Sequence, residues 1–287
     1  MEPGCAHAPF LQGVRQAHGS SFHFEGVELD RAEAEKAPGW ARIHQEDFLL
    51  FRPEAPYDLV IGNPPYGIVG DGSKYAISHQ GIRERKATYQ RHLLTWRGKY
   101  NLYGAFIERS AEILAPGGQA VLVVPASWLV LEDFALLRQF LAYQGRTRVF
   151  YVGAVFPGRS VYATVLDFRK GERGLELWDA EGLLQGKAPS LALEDPAWRG
   201  EEVSFPATPP AKGRPLGERF SIRMAARSPD FRRKGVYPEP RPGTLPVLTG
   251  RNLFPGRIDY ERNHSGLWVE AGLVSRLHPY YASPHLV

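Results

Sequence analysis

The chain has 287 residues, enough for one large domain or for a domain of ordinary size followed by part of another. With 43% hydrophobic and 12% aromatic residues it can bury a normal core, and no apolar run approaches the about 18 residues of a membrane span, so a soluble protein without a signal peptide is expected. The one cysteine, Cys5, excludes an intrachain disulfide framework and a Cys-cluster zinc site, and it fits a reducing cytoplasm. The net charge of +4 is unevenly placed: from residue 212 onward 13 Lys and Arg stand against 6 acids, leaving the preceding residues acidic on balance. Cations clustered in this way suit a polyanionic partner, and they suit a solvated basic surface as well.

Along the first 170 residues strand-like and helix-like stretches alternate, which predicts a doubly wound, mostly parallel α/β sheet. Phe22 to Glu28 reads as a strand ending in an acid, and a short piece leads into Asp47 and Phe48. Asp58 to Gly62 is a buried strand that stops at Asn63. Asn101 opens a helix in which Leu102, Phe106, Ile107, Ile113 and Leu114 fall near helical spacing, with Pro116, Gly117 and Gly118 as its terminator. The next strand is Ala120 to Pro125. A second helix buries Val130, Phe134, Leu137 and Leu141 and stops at Gly145, after which Val149 to Val152 and Val161 to Phe168 read as strands. The pattern weakens from about Pro189. A proline-rich stretch predicts a linker over 205–215, dividing a first domain, 1–205, from a basic second one, 212–287.

The tetrad Asn63, Pro64, Pro65, Tyr66 follows directly on a strand, which places it at the carboxyl edge of the sheet, where open α/β folds bind ligands. A rigid turn after the strand is the plainer explanation of two prolines. The residue types nevertheless suit one reaction. An aromatic amine such as adenine N6 is a poor nucleophile because its lone pair is delocalised into the ring, so an enzyme must grip both N–H groups. The Asn63 side-chain oxygen and the Pro64 carbonyl provide two acceptors, the prolines hold the backbone, and Tyr66 offers a flat face to a base that has left its duplex.

Strand-end carboxylates complete the pattern. Glu28 is suited to two ribose hydroxyls and Asp47 to an adenine amine, although either acid also serves as a helix cap. The histidines show no ligand spacing, so no metal is expected. Arg83, Arg85, Lys86, Arg91, Arg97 and Lys99, interleaved with Tyr89 and Trp96, read equally as a DNA-facing loop or a solvated helix face.

These residues resemble the gamma-class adenine-N6 DNA methyltransferases of the TaqI type. The likeness is carried by EPGCAHAPF at Glu2 to Phe10, GVELD at Gly26 to Asp30, DFLL at Asp47 to Leu50 and DLVIGNPPYGIVG at Asp58 to Gly70. It continues through GKYNLYGAF at Gly98 to Phe106, VPASWLVLEDFALLR at Val124 to Arg138 and VFPG at Val155 to Gly158. In the second domain it runs through AARSPDF at Ala225 to Phe231, PVLTGRNL at Pro246 to Leu253 and NHSGLW at Asn263 to Trp268.

The resemblance implies a class I S-adenosylmethionine-dependent methyltransferase fold with a reversed final hairpin, followed by part of a target-recognition domain, the chain being shortened at both ends. It implies S-adenosylmethionine as cofactor, touched by Glu2, Cys5, Ala6, Glu28, Asp47, Phe48, Asn63 and Phe106. Phe156 is implied as the aromatic that stacks on a flipped base opposite Tyr66, with Arg227, Arg251 and Arg257 as DNA contacts. Ala8 stands where the family has glycine. The expected partner is double-stranded DNA, with TCGA the first sequence to try. The expected setting is a monomer in the cytoplasm within a restriction-modification system that includes a cognate endonuclease. Two other readings are an inactive DNA-binding remnant and a protein glutamine methyltransferase, whose substrate carboxamide the same two acceptors would grip.

Overall fold

The computed structural model describes residues 1–67, 79–97, 101–154, 161–193, 198–203, 235–254, 257–259 and 261–272. The chain forms two compact units, Met1–Ala211 and Lys212–Val287.

In the first unit β1 (Glu2–Pro3), β2 (Glu25–Val27) and β3 (Arg42–His44) pair in parallel in that spatial order. A second group comprises β4 (Tyr57–Gly62), β5 (Leu114–Pro125), β6 (Gly145–Gly153), β7 (Ala163–Lys170), β8 (Gly174–Asp179) and β9 (Leu191–Leu193). It is ordered β4-β5-β7-β6-β8-β9. The Met1 amino group donates to the Leu59 carbonyl (2.9 Å) and the Ile61 amide donates to the Met1 carbonyl (2.9 Å), which joins β1 to β4. The strands therefore run β3-β2-β1-β4-β5-β7-β6-β8-β9. β7 is antiparallel to both of its neighbours, as expected for a reversed final hairpin. This is the class I methyltransferase fold.

Strand order reverses its direction of growth at β1, which has β2 on one side and β4 on the other. In a doubly wound sheet such a reversal opens a crevice at the carboxyl ends of the two strands, because their following connections leave toward opposite faces. The segments after β1 and β4 carry the landmarks at Glu2 to Phe10 and Asn63 to Tyr66.

The helices are α1 (Pro9–His18), α2 (Arg31–Ala34), α3 (His79–His92), α4 (Leu102–Glu112), α5 (Ala135–Gln144) and α6 (Ala180–Leu184). α4 and α5 pack on each other, α4 also against β5 and α5 against β6. The core between them holds Trp128, Phe134, Leu137, Leu141, Leu122, Val124, Val149 and Phe168, each at most 2% exposed. Burial of one such side chain is worth about 1.5–3 kcal/mol. Arg138 is buried among them, and its guanidinium donates to the carbonyls of Trp128 (2.9 Å), Leu131 (2.8 Å) and Gly200 (3.2 Å), tying the stretch 198–203 to this layer.

Several expected boundaries move. The helix opened by Asn101 ends at Glu112, and Leu114 already belongs to β5. Tyr57 pairs with Leu114 and Leu59 with Gln119, so Pro116, Gly117 and Gly118 lie in a bulge of the strand and do not terminate the helix. Val130 is 43% exposed because residues 126–134 form two short 3-10 turns, which break the helical period before α5 begins. Phe22, expected to open the strand, is 55% exposed, and β2 begins only at Glu25.

In the second unit β10 (Val236–Tyr237), β14 (Trp268–Glu270) and β11 (Thr244–Pro246) form an antiparallel sheet, and β12 (Leu253–Phe254) pairs with β13 (Arg257–Ile258). Asn252 is fully buried there. It accepts from the Thr249 amide and donates to the carbonyls of Asp259 and Arg262.

Candidate active site

The segment after β1 is a tight turn in which Gly4 (φ 61°), Ala6 (φ 44°) and Ala8 (φ 59°) all adopt left-handed conformations. For the two alanines this costs on the order of 1 kcal/mol each, so the surrounding structure must impose it. Ala8 is thus accommodated at the cost of local strain, fully buried at the start of α1.

Three partners hold the turn. The Glu2 carboxylate, 2% exposed, accepts from the Leu11 amide in the first turn of α1 (2.9 Å). Burial raises its pKa to about 7, an effect reduced by the amides of Leu11 and Phe10. Cys5 is buried against Gly26, where a β-carbon would lie 2.6 Å from Cys5 Sγ, and burial pushes the thiol up to about 12. The Ala6 amide donates to Glu28 Oε2 (2.8 Å). Glu2 and Cys5 therefore shape the turn from beneath.

Glu28 follows β2, and its other oxygen accepts from the Asp30 amide (2.9 Å). Each oxygen keeps a lone pair, a fit for the two hydroxyls of a ribose. Beyond β3, Asp47 accepts from the Leu49 amide (3.1 Å) and from the Tyr89 hydroxyl. Phe48 and Phe106 are buried with ring centroids 5.0 Å apart, and a β-carbon on Gly4 would lie 3.5 Å from the Phe106 ring. Apolar rings, a left-handed backbone turn and two carboxylates at successive strand ends make a chemically suitable cradle for an adenosine carrying a cationic tail.

The tetrad stands at the end of β4. Its approach to the turn is set by small residues: a β-carbon on Gly62 would lie 3.2 Å from Pro3 Cδ, and one on Gly4 would lie 3.7 Å from Pro65 Cδ. Asn63 is exposed, Pro64 buried, and Pro65 and Tyr66 half-buried. The Tyr66 hydroxyl lies within hydrogen-bond distance of Asn63 Oδ1 (2.8 Å) and of the Val123 carbonyl in β5 (3.0 Å). Burial pushes its pKa up to about 12, which keeps the hydroxyl a donor at neutral pH. On the far side Asn101 caps α4 by accepting from Tyr103 (3.4 Å) and also takes the Gly67 amide (3.0 Å), so the helix start and the end of the tetrad share one side chain.

Next to Tyr66 opens a cleft of about 700 Å³ bounded by Asn101, Tyr103, Ser127, Tyr151 and Tyr162 among others. Tyr103 meets the Tyr66 ring edge-on at 6.0 Å and its hydroxyl is 3.0 Å from Ser127 Oγ. Tyr151 and Tyr162 stack at 6.5 Å. Sequence reasoning passed over these three tyrosines and Ser127. Tyr151, at the end of β6, and Tyr162, just before β7, become neighbours only once those strands pair.

Of the remaining expected site residues, Phe156 and Arg227 lie outside the described residues, as does Lys99. Arg251 and Arg257 are exposed in the second unit, with the Arg257 guanidinium 5.0 Å from the centre of the Phe254 ring. The basic run between the tetrad and α4 is partly helical, as the second reading had it, with Arg91 and Arg97 exposed. It contains α3, and Tyr89 and Trp96 are buried with rings 5.5 Å apart. Among the described residues no group of three or more His, Cys, Asp or Glu is placed to hold a metal ion.

Residues 22–151 match the Eco57I restriction-modification methylase family. The chain is 54% identical over 292 residues to a type II methyltransferase of Thermus thermophilus, a match that spans all of this chain and 68% of that protein. It is 28% identical over 182 residues to the tRNA1(Val) (adenine(37)-N6)-methyltransferase of Dickeya chrysanthemi, spanning 60% of this chain and 65% of that one. Among solved structures it is similar to the methyltransferase subunit of a type I restriction-modification system from Streptococcus thermophilus. There the TM-score is 0.47 at 17% identity, covering 69% of this chain and 45% of the other. On the strength of the Thermus relative, the chain belongs to the type II methyltransferases of restriction-modification systems.

Proposed function

We propose that this DNA methyltransferase acts on the exocyclic N6 of an adenine turned out of double-stranded DNA. In this reading the base enters the cleft beside Tyr66 and the donor lies on the opposite side of the tetrad. The observation that carries it is the position of the tetrad itself: Pro65 borders the Gly4 turn while Tyr66 lines the 700 Å³ cleft. The adenine-N6 specificity of the Dickeya tRNA methyltransferase supports the same choice of atom.

S-Adenosylmethionine, the cofactor of these enzymes, supplies an electrophilic methyl group on a sulfonium centre. Glu28 receives the ribose hydroxyls, Asp47 the adenine amine, and Phe48 and Phe106 the faces of the ring. The turn at Gly4 to Ala8 brings backbone close to the tail. At the target, Asn63 Oδ1 and the Pro64 carbonyl accept the two N–H bonds of the amine and localise its lone pair. The N–C bond forms as the carbon–sulfur bond breaks, the electron pair returning to sulfur, and one N–H proton then leaves to water, so rate comes from positioning and fixed dipoles and needs no strong base. Tyr66 stacks on the base, with Phe156 opposite it. Residues 1–205 form the catalytic domain, and 212–287 part of a target-recognition domain that uses Arg227, Arg251 and Arg257. The enzyme works as a monomer in the cytoplasm, beside an endonuclease of the same specificity.

The test is transfer of a labelled methyl group to duplex DNA containing TCGA, followed by digestion to nucleosides. Label in N6-methyl-2′-deoxyadenosine is expected. Label in a cytosine derivative overturns the assignment of the atom. Label in tRNA or in a release factor but not in DNA overturns the assignment of the substrate, and no transfer to any of them favours the DNA-binding remnant.

A further inference from the structure

Asp47 is held from a direction that its place at the end of β3 does not explain. Tyr89 and Arg85, four residues apart and so on one face of α3, both approach it. The Tyr89 hydroxyl donates to Asp47 Oδ2 (2.5 Å), and the Arg85 guanidinium is 3.7 Å from the same oxygen. The Leu49 amide takes Oδ1. Tyr89 is 5% exposed and its ring rests against Trp96. The segment after the helix is pinned in turn. Glu108 of α4, fully buried, accepts from the amides of Leu94 (2.5 Å) and Thr95 (3.1 Å) and from the Thr95 hydroxyl (2.5 Å). Burial and the Asp47 charge hold the Tyr89 phenol above its usual pKa, so it remains a donor throughout the neutral range.

We propose that Tyr89 is a positioning residue for donor recognition: its hydroxyl fixes the Asp47 carboxylate so that the remaining acceptor sites face the 6-amino group of the donor's adenine. A carboxylate offers about four lone-pair directions, and Tyr89 and Leu49 occupy two of them. Without the hydroxyl the carboxylate swings toward Arg85 and its aim at the amine is lost, while Phe48, Phe106 and Glu28 still hold the ring and ribose. The proposal rests on the assignment of Asp47 to the donor's adenine.

Donor specificity tests it. The dissociation constants of S-adenosylmethionine and of S-inosylmethionine, which carries a carbonyl in place of the 6-amino group, are measured by calorimetry for the full chain, Tyr89→Phe and Asp47→Ala. Phenylalanine keeps the ring on Trp96. The full chain is expected to prefer the adenosyl donor by about 30-fold or more, as a site built around a hydrogen bond does. Tyr89→Phe is expected to bind the adenosyl donor about tenfold more weakly and the inosyl donor about as before, with kcat at saturating donor within about threefold. Asp47→Ala is expected to lose the preference. A preference lost in Asp47→Ala but kept in Tyr89→Phe overturns the role of Tyr89 alone. Equal weakening of both donors in Tyr89→Phe also overturns it, because a merely structural residue behaves that way. A preference kept in Asp47→Ala overturns the underlying assignment and the proposal with it.

Discussion

The Tyr66 hydroxyl lies 2.8 Å from Asn63 Oδ1 and 3.0 Å from the Val123 carbonyl, and its single hydrogen serves one of them at a time. Tyrosine at this position is therefore both a flat surface and a lock on the asparagine beside it. Tyr66→Phe keeps the surface and removes the lock, and we expect kcat to fall by about three- to tenfold with DNA affinity little changed. Tyr66→Ala removes both, with an expected loss of about 100-fold or more. Single-turnover rates at saturating donor and DNA separate the two effects. Equal losses for the two variants would show that the ring contributes nothing.

Asn63 is exposed and has no packing to lose. Asn63→Ala is expected to reduce methylation by about a thousandfold or more while donor and DNA dissociation constants stay within about threefold, since the localisation of the amine lone pair is removed and the Tyr66 hydroxyl keeps the Val123 carbonyl as a partner. Retained methylation in that variant is incompatible with the proposed mechanism.

Asn101 serves both the start of α4 and the Gly67 amide behind the tetrad. Asn101→Ala is expected to cost about 1 kcal/mol of stability through the lost cap, a drop of about 2–4 °C in Tm. Asn101→Asp keeps an acceptor and should recover most of that loss. A thermal melt of the three proteins checks both statements.

Glu2 makes stability depend on pH in an unusual direction. Its folded-state pKa of about 7 lies above the unfolded value of 4.5, because burial disfavours the carboxylate. The contribution is fully present below about pH 4.5 and disappears as pH rises through 7. Glu2→Gln cannot ionise and still accepts from Leu11. Its melting temperature should match that of the unaltered protein near pH 5 and exceed it at pH 8, by on the order of 2 kcal/mol in unfolding free energy. A difference that stays constant across this range counts against the buried charge.

Much of the fold was legible because its elements are locally consistent. DLVIG is a short apolar run that stops at a turn, and it forms β4, while Asn101 followed by helical spacing marks a capped helix. Boundaries failed where tertiary pairing overrode local signals: Pro116, Gly117 and Gly118 carry a helix terminator's composition, yet pairing of β4 with Leu114 and Gln119 turns them into a bulge. The tetrad and Glu28 could be read because strand ends are visible in a sequence. Tyr103, Ser127, Tyr151 and Tyr162 could not, since they meet only through the pairing of distant strands. Tyr89 was visible only as one aromatic in a basic run. Its partner, Asp47, lies 42 residues earlier.

Gly62 works as a spacer. The two turns on either side of the crevice are about 60 residues apart along the chain, yet their separation is set by one missing side chain, since a methyl group at Gly62 would press on Pro3 Cδ at 3.2 Å. Methyl transfer is a short jump between two bound molecules, and a few tenths of an ångström added there lengthen the jump without touching any group that binds either one. In the proposed mechanism the spacing of the two turns is thus a contribution to speed that leaves affinity untouched, and it comes from an atom the chain leaves out.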